Sequence, residues 1–361
     1  MKKIYYITAV FATLFLVGCG DGIDLPGVNV ETDLNKIPLP DNNVNLEQVE
    51  LKPSTEPMLH EGLHTEEDFQ RIRDKKAAGE EPWVSAYQLL VESQFSQKTA
   101  DTYPTEWIKR GVSGDENYMN AARGATIAYQ QALRWKIEQD DEYAAKAVEN
   151  LNKWVQTCVG VTGNTNLSLA AGLYGYEFAI AGELLRDYEG WDRADFAAFQ
   201  NWLLKVFYPA NDDFLKRHHD TNALHYWANW CLCNIAAKMA IGIVTDRRDI
   251  YNEGIDHLQT GDTNGRLRRA IYHDYAPDYN FAQWQESGRD QGHTLMCVGL
   301  MGVICQLAWS QGDDFFAYDD NLFMRACEYA ACCNYTNETV PYTTYIWQKQ
   351  SQWGYPIPEE Q

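Results

Sequence analysis

Eight stretches of this chain, 117–138, 142–158, 168–188, 192–206, 221–243, 264–274, 286–310 and 320–333, carry apolar residues at helical spacing. Apolar side chains recurring every three to four residues can be buried together only along one face of a helix. Two shorter segments precede them. Thr65 with Asp68 forms a capping-box-like start, T-E-E-D, ahead of F-Q-R-I-R-D-K-K, and Pro82 opens P-W-V-S-A-Y-Q-L-L at a first helical turn. Clusters such as G-N-T-N and Q-T-G-D-T-N-G punctuate the series, and period-two alternation of β-branched residues is almost absent. The chain is therefore expected to be all-α. No fixed repeat of the tetratricopeptide kind is visible, which leaves a bundle, a solenoid or an α/α toroid. Segments apolar nearly all round, such as C-L-C-N-I-A-A-K-M-A-I-G-I, suit an inner ring of helices sheathed by an outer one.

The N-terminus sets the compartment. Lys2 and Lys3 precede an apolar stretch from Ile4 to Val17, too short for a comfortable membrane span, which reads as a signal peptide. It ends L-V-G-C, a lipobox-like string that places Cys19 for cleavage in front of it and for acylation. Gly20, rather than an aspartate, follows, which favours the outer membrane. Residues 19–58, rich in Asp, Asn, Pro and Val, cannot bury enough apolar surface to order themselves and read as a tether. The expected organisation is a signal peptide over 1–18, a tether over 19–58 and one catalytic domain over 59–361. The protein is expected to be exported and lipid-anchored in the periplasm or outer membrane of a Gram-negative bacterium, touching the membrane only through that anchor.

A formal charge of -21 argues against nucleic acid, since phosphate binding needs a basic face. An anionic substrate stays open, because it meets the local field of a cleft rather than the net charge. The cations are clustered: Arg217, His218 and His219; Arg266, Arg268, Arg269 and His273; Arg289 and His293. Besides Cys19, eight cysteines lie in apolar segments with no matched C-x-x-C pairs, so they read as small core residues. Asp313, Asp314, Asp319 and Asp320 lack EF-hand spacing. No metal or other cofactor is expected.

Two segments carry polar groups at one shared spacing. D-T-N-A-L-H-Y-W-A-N-W sets Asn222, His225 and Asn229 at i, i+3 and i+7, with Tyr226 beside them and Asp220 or Thr221 as a cap. Q-E-S-G-R-D-Q-G-H-T sets Glu286, Arg289 and His293 at the same intervals. On helices, each trio forms one narrow stripe. Such groups either lock two helices together as a buried network or face a cleft.

These strings, with L-H-T-E-E-D-F-Q-R-I-R, Y-Q-Q-A-L-R-W-K-I, L-A-A-G-L-Y-G-Y-E-F-A and E-Y-A-A-C-C-N-Y-T-N-E-T-V-P-Y, cover most of Leu63 to Tyr345. In them the chain resembles the alginate lyase superfamily of polysaccharide lyases, closest to family thirty-eight. The resemblance implies an incomplete α/α toroid of antiparallel helical hairpins, whose inner helices line a cleft for an anionic polysaccharide. It also implies β-elimination on a polyuronate, of the alginate, polymannuronate or glucuronan type. Two departures stand out. The family's N-N-H-x-Y-W string reads N-A-L-H-Y-W here, and the tyrosine seven residues after the arginine of E-x-x-R is replaced by Met296. Relatives also continue past V-P-Y with further helix, so a closing C-terminal segment is an expected difference from them.

A polyuronate lyase removes the barely acidic C5 proton beside a carboxylate and expels the O4-linked sugar. Amide, imidazole and guanidinium groups can neutralise that carboxylate. Asn222, His225 and Arg289 are the candidates, with Asn229, Glu286, His293, Tyr226 and Arg266 as substrate-binding neighbours. The acid–base group is expected to be a phenol whose pKa nearby cations lower. Tyr272 comes first, because it follows Arg266 and Arg268, and Tyr226, Tyr275 and Tyr279 are rivals. A glycoside hydrolase on an α/α barrel would need two facing carboxylates, and only Glu286 is strongly placed. A non-catalytic glycan-binding surface lipoprotein would need neither polar trio. Oligomeric state is not encoded in these features.

The anchor is directly testable. Cys19→Ala should move the protein from the membrane fraction to the soluble one and leave the domain folded. Wild-type protein that is fully soluble and carries no acyl chain by mass spectrometry would refute the lipobox.

Overall fold

Residues 56–335, 340–349 and 353–356 are described by a computed structural model, so Cys19 and nearly all of the tether lie outside them. The helices are α1 (Glu66–Ala77), α2 (Trp83–Glu92), α3 (Tyr118–Glu138), α4 (Asp141–Thr157), α5 (Leu167–Leu184), α6 (Arg193–Val206), α7 (Tyr208–Arg217), α8 (Ala228–Val244), α9 (Arg248–Thr260), the single turn α10 (Leu267–Ala270), α11 (Gln291–Ser310) and α12 (Tyr318–Tyr335). The capping box at Thr65 forms as expected, with both reciprocal bonds to Asp68. Pro82 caps α2, whose helical residues begin at Trp83.

The protein is mainly α-helical, with three two-stranded sheets beside the helices. Strand β1 (Trp107–Arg110) pairs in parallel with β2 (Gly160–Gly163), and β3 (Ile271–Asp274) pairs antiparallel with β4 (Ala282–Trp284). A last pair joins β5 (Ile346–Lys349) to β6 (Trp353–Pro356). These strands are only three or four residues long, and for that reason no period-two signal announced them.

Inner and outer helices alternate along the chain. Helices α3, α5, α8 and α11 pack side by side in that order, and α4, the α6–α7 pair and α9 return outside them. Nearly every residue of α5 and α8 is buried, whereas α4 and α9 bury one face. Apolar composition all round is thus the mark of the inner ring. Helix α11 is long and apolar enough to cross a membrane, yet half of that stretch is buried in the same core. Because an outer helix returns between each inner pair, the inner helices are parallel and their N-termini share one rim. At the opposite rim Arg186 donates to the carbonyls of Ile243 (3.2 Å) and Val244 (2.9 Å) while paired with buried Glu183, tying the end of α5 to the end of α8.

Several expected boundaries move. Helix was expected over 221–243, but α8 begins at Ala228; expected over 264–274, it contracts to Leu267–Ala270 before β3; expected over 286–310, it begins at Gln291. Helices α7 and α9, which the sequence reading left unassigned, complete the outer layer. None of these eight cysteines is in a disulfide; five are buried and three half-buried, as core residues should be.

The inner–outer contact is tight at Gly242. A Cβ there would stand 2.6 Å from the Tyr251 amide nitrogen and 2.9 Å from its Cα, backbone atoms that cannot swing aside. Gly242→Ala should therefore cost about 1–3 kcal/mol through overpacking. A thermal melt checks this, and an unchanged midpoint would mean that α8 and α9 can part freely.

Candidate active site

The N-terminal rim of the inner helices is where the polar trios meet, and they are not helical stripes. Asn222 and His225 sit in the loop before α8, and Glu286 and Arg289 in the turn before α11, so only Asn229 and His293 are on helices. The loop is fixed locally. Asn222 accepts from the Leu224 amide (2.8 Å), and Asn264 donates to the carbonyls of Leu224 (3.1 Å) and Tyr226 (2.8 Å). Neither Asp220 nor Thr221 caps α8; the N-cap is Trp227, which makes no side-chain capping bond.

The missing cap comes from across the rim. The Ala228 amide donates to Gln285 Oε1 (3.0 Å), and Asn229 donates to Glu286 Oε1 from its amide (3.3 Å) and from Nδ2 (2.5 Å). Glu286 is wholly buried and takes Arg289 Nη1 on its other oxygen at 2.5 Å. A carboxylate at a helix N-terminus is favoured by the unpaired amides and the helix dipole. Glu286 thus ties three elements together: the start of α8, the turn and Arg289. The Arg289 guanidinium also lies 4.5 Å over the Trp227 ring, a cation–π contact.

Trp227 and Tyr345 form a small aromatic cluster apart from the main core, with Trp230 and Tyr272 packed on it. The Tyr272 and Tyr345 ring centroids are 5.2 Å apart, and Tyr345 donates to the Ser287 carbonyl (3.1 Å). The Tyr272 hydroxyl is enclosed with no hydrogen-bond partner. Burial pushes it up to about 12, with Tyr275 adding to the rise. The expectation that arginines lower this pKa is corrected, because Arg268 is held in ion pairs with Asp319 and Asp274 and Arg269 reaches the Asp262 carbonyl.

A second patch adjoins through Tyr226 and Trp230, whose rings lie 4.6 Å apart. His225 stands edge-on to Tyr226 at 4.7 Å. His219 bonds Ser168 Oγ (2.9 Å) at the start of α5, and burial, its largest influence, lowers its pKa. His218 is buried against Phe214 and lowered to about 4, mainly by burial and then by His219 and His225. His218 and His219 are therefore held toward the neutral form at pH 7.

Other expected site residues are placed elsewhere. Asn229 and Glu286, expected to bind substrate, are shielded and bonded to each other, so they position the turn instead. His293 is held by Asp290, the N-cap of α11, which takes its Nδ1 at 2.6 Å. Tyr226 is largely buried as a wall between the patches. The enclosed Nε of Arg266 has no partner, and the residue lies beside Tyr318 of α12. Tyr275 bonds Gln283 Oε1 (2.6 Å) and Thr343 Oγ1 (3.1 Å), Tyr279 is exposed, and Met296 packs on the core. Asp313 accepts from Tyr251, Asp314 from the Ala317 amide, and Asp319 and Asp320 pair with Arg268 and Arg325. Among the described residues no group of three or more His, Cys, Asp or Glu is placed to hold a metal ion.

The sequence reading missed Trp227, Trp230, Gln285 and Tyr345. The two tryptophans sit in the H-Y-W-A-N-W string itself, but Tyr345 arrives from far along the chain and no local signal marks it.

Comparison with known proteins agrees with this architecture. Solved structures similar to the chain include alginate lyase A1-III from Sphingomonas species A1, at 14% identity with a TM-score of 0.53 over 77% of this chain and 80% of that one. An alginate lyase from Bacteroides ovatus is similar at 14% identity, with a TM-score of 0.55 over 74% of this chain and 82% of that one. A further similar structure is a variant of A1-III complexed with a tetrasaccharide, at 15% identity and a TM-score of 0.53 over 77% and 80% of the two chains. No curated protein matches the chain. At these identities the likeness establishes the α/α toroid fold. The alginate lyase family model matches residues 72–338, and the chain therefore belongs to the alginate lyase family of polysaccharide lyases.

Proposed function

We propose that this enzyme cleaves a polyuronate of the alginate, polymannuronate or glucuronan type by β-elimination at the N-terminal rim of its inner helices. The observation that carries the proposal is Arg289, held over Trp227 by a buried carboxylate and facing the same aromatic cluster as Tyr272. The Q-W-Q-E-S-G-R-D-Q-G-H-T string supports a place near polysaccharide lyase family thirty-eight, and the tetrasaccharide complex of A1-III supports an oligosaccharide ligand. The lipobox supports a site of action at the cell envelope, with the domain from residue 59 onward held there by its tether.

The elimination divides its protons between two groups. Arg289, with Asn222, meets the carboxylate at C5 and stabilises the enolate-like charge that develops there. His225 accepts the C5 proton. As the C4–C5 double bond forms and the C4–O4 bond breaks, Tyr272 gives its proton to O4. A phenol raised to about 12 is a poor base at neutral pH but stays protonated and ready to donate. This assigns Tyr272 the acid half of the role that the sequence reading gave to one residue.

Three variants test the roles. Arg289→Lys keeps a cation beside Glu286 but loses the planar fork, so kcat should fall about 10²–10³-fold, equivalent to about 3 kcal/mol, with a small change in melting temperature. Arg289→Ala should also destabilise the fold by about 3–5 kcal/mol, because it leaves Glu286 buried without its cation. Tyr272→Phe removes a hydroxyl that has no partner to lose. Its melting temperature should hold or rise while kcat drops about 10²-fold or more, whereas a structural tyrosine would lose stability and keep turnover. The assay is the ultraviolet absorbance of the unsaturated uronate end, measured over a panel of polyuronates. If no polyuronate yields that chromophore, the lyase proposal fails.

The pH profile carries its own sign. Tyr272 stays protonated until the pH nears about 12, so its titration should produce no alkaline loss of kcat between pH 7 and 10. The Tyr272→Phe profile should keep the same shape at lower amplitude. A wild-type alkaline limb in that window that vanishes in Tyr272→Phe would show that Tyr272 loses its proton there, which overturns the assignment.

A further inference from the structure

Arg110 ends β1, and only 5% of it is exposed. Its Nη1 has no hydrogen-bond partner, and among the described residues no carboxylate lies within ion-pair distance of the side chain. Its one strong contact is with the Tyr118 ring at the start of α3, 4.6 Å from the guanidinium. Tyr118 in turn stacks 6.5 Å from Tyr174 of α5. Among the described residues every other largely buried arginine has an anion: Arg134 has Glu138, Arg186 has Glu183, and Arg325 has Asp274. Burying a guanidinium without such a partner is costly, and a fold that keeps one is short of an anion.

The setting ties Arg110 to the site already described. Gly163 of β2 is at φ +144, and a Cβ there would strike the Arg110 carbonyl at 1.7 Å; a Cβ on Gly111, at φ +78, would strike the Asn164 side chain at 1.8 Å. The two glycines let the β1–α3 and β2–α5 loops close on each other. The next residue, Thr165, lies beside both Tyr226 and His219. Arg110 therefore stands on the same rim as His219 and Tyr226, beyond them from Arg289.

We infer that Arg110 is an outlying carboxylate subsite, which grips a uronate residue of the bound chain several sugars from the scissile bond, with Tyr118 offering its ring. The inference rests on the polyuronate reading above. A planar fork suits a carboxylate, and the ligand anion supplies the partner that the protein omits.

The test uses the full chain and a ladder of uronate oligomers from the shortest that is cleaved to one of eight or more sugars, with Arg110→Met and Arg110→Lys. The quantity read is the ratio of kcat/KM for the long oligomer to that for the shortest. In Arg110→Met this ratio should collapse at least tenfold, with the loss in KM, and Arg110→Lys should recover part of it. Arg110→Met should also melt a few degrees higher without ligand, since an unpaired buried charge is gone, and should lose the stabilisation that the long oligomer gives wild type. An equal loss on every oligomer, or no loss on any, overturns the subsite. If Arg110→Met does not fold, the Arg110→Lys length ratio decides alone, and a ratio equal to wild type overturns the proposal. Absence of cleavage by wild type on every oligomer is the separate failure of the lyase reading, and the length dependence of ligand-induced melting shifts then still decides whether Arg110 holds a uronate.

Discussion

The buried carboxylate of Glu286 is the interaction on which the geometry of the site depends. It caps the open end of α8 and holds Arg289, and its bonds to Asn229 fix where the turn before α11 sits against the turn before α8. A fully buried carboxylate is expensive unless its lone pairs are taken, and here amide donors and a guanidinium take them. On the proposed reading the pair has a functional logic: an arginine that meets a substrate carboxylate in one orientation needs an anion behind it, set by the scaffold rather than by solvent. Gln285 supports the arrangement by accepting from the Ala228 amide, so both capping groups of α8 come from another part of the chain.

The inner ring explains why the site forms at this rim. The inner helices are parallel, so their free amides and positive dipole ends collect on one side. That side carries His219 at the start of α5, His225 before α8 and Arg289 before α11. Helix N-termini favour an anion there, whatever the net charge of -21 over the whole chain. The opposite rim is made for strength instead, with the Glu183–Arg186 pair binding helix C-terminal carbonyls.

The sequence made the inner helices legible because apolar composition all round has few other uses in a domain of this size, and the capping box at Thr65 was readable from four residues. The placement of the polar trios was not. Spacing of i, i+3 and i+7 fits a helix, but it equally fits a loop that enters one, and the side chains then point quite differently. Start signals were present. Gly288 at φ +79 breaks the pattern and Asp290 caps α11, both inside the string that was taken as continuous helix. Before α8 the signal was absent, since the capping groups are Gln285 and Glu286, far along the chain. Tyr345 was hidden for the same reason. A contact supplied by tertiary structure leaves no periodicity to read.

Unsatisfied polarity at this rim gives the site its chemical character. Among the described residues, enclosed polar atoms without partners include Arg110 Nη1, Tyr272 Oη and Ser287 Oγ, all on the rim side of the inner helices. Each costs on the order of 1–3 kcal/mol in the free protein, and a scaffold that tolerates several in one region gives up stability there. The sum is bearable because the rest of the inner ring is close-packed around glycines such as Gly172 and Gly242, where no side chain would fit. A ligand rich in carboxylates and hydroxyls would supply the missing partners without asking the enzyme to give up bonds it already has. On the proposed mechanism, binding energy of that kind is directed to holding the substrate's carboxylate against Arg289, where its interaction strengthens as charge moves off C5. The aromatic cluster of Trp227, Trp230, Tyr272 and Tyr345 lines the same place with apolar surface, where electrostatic interactions are less screened than in water.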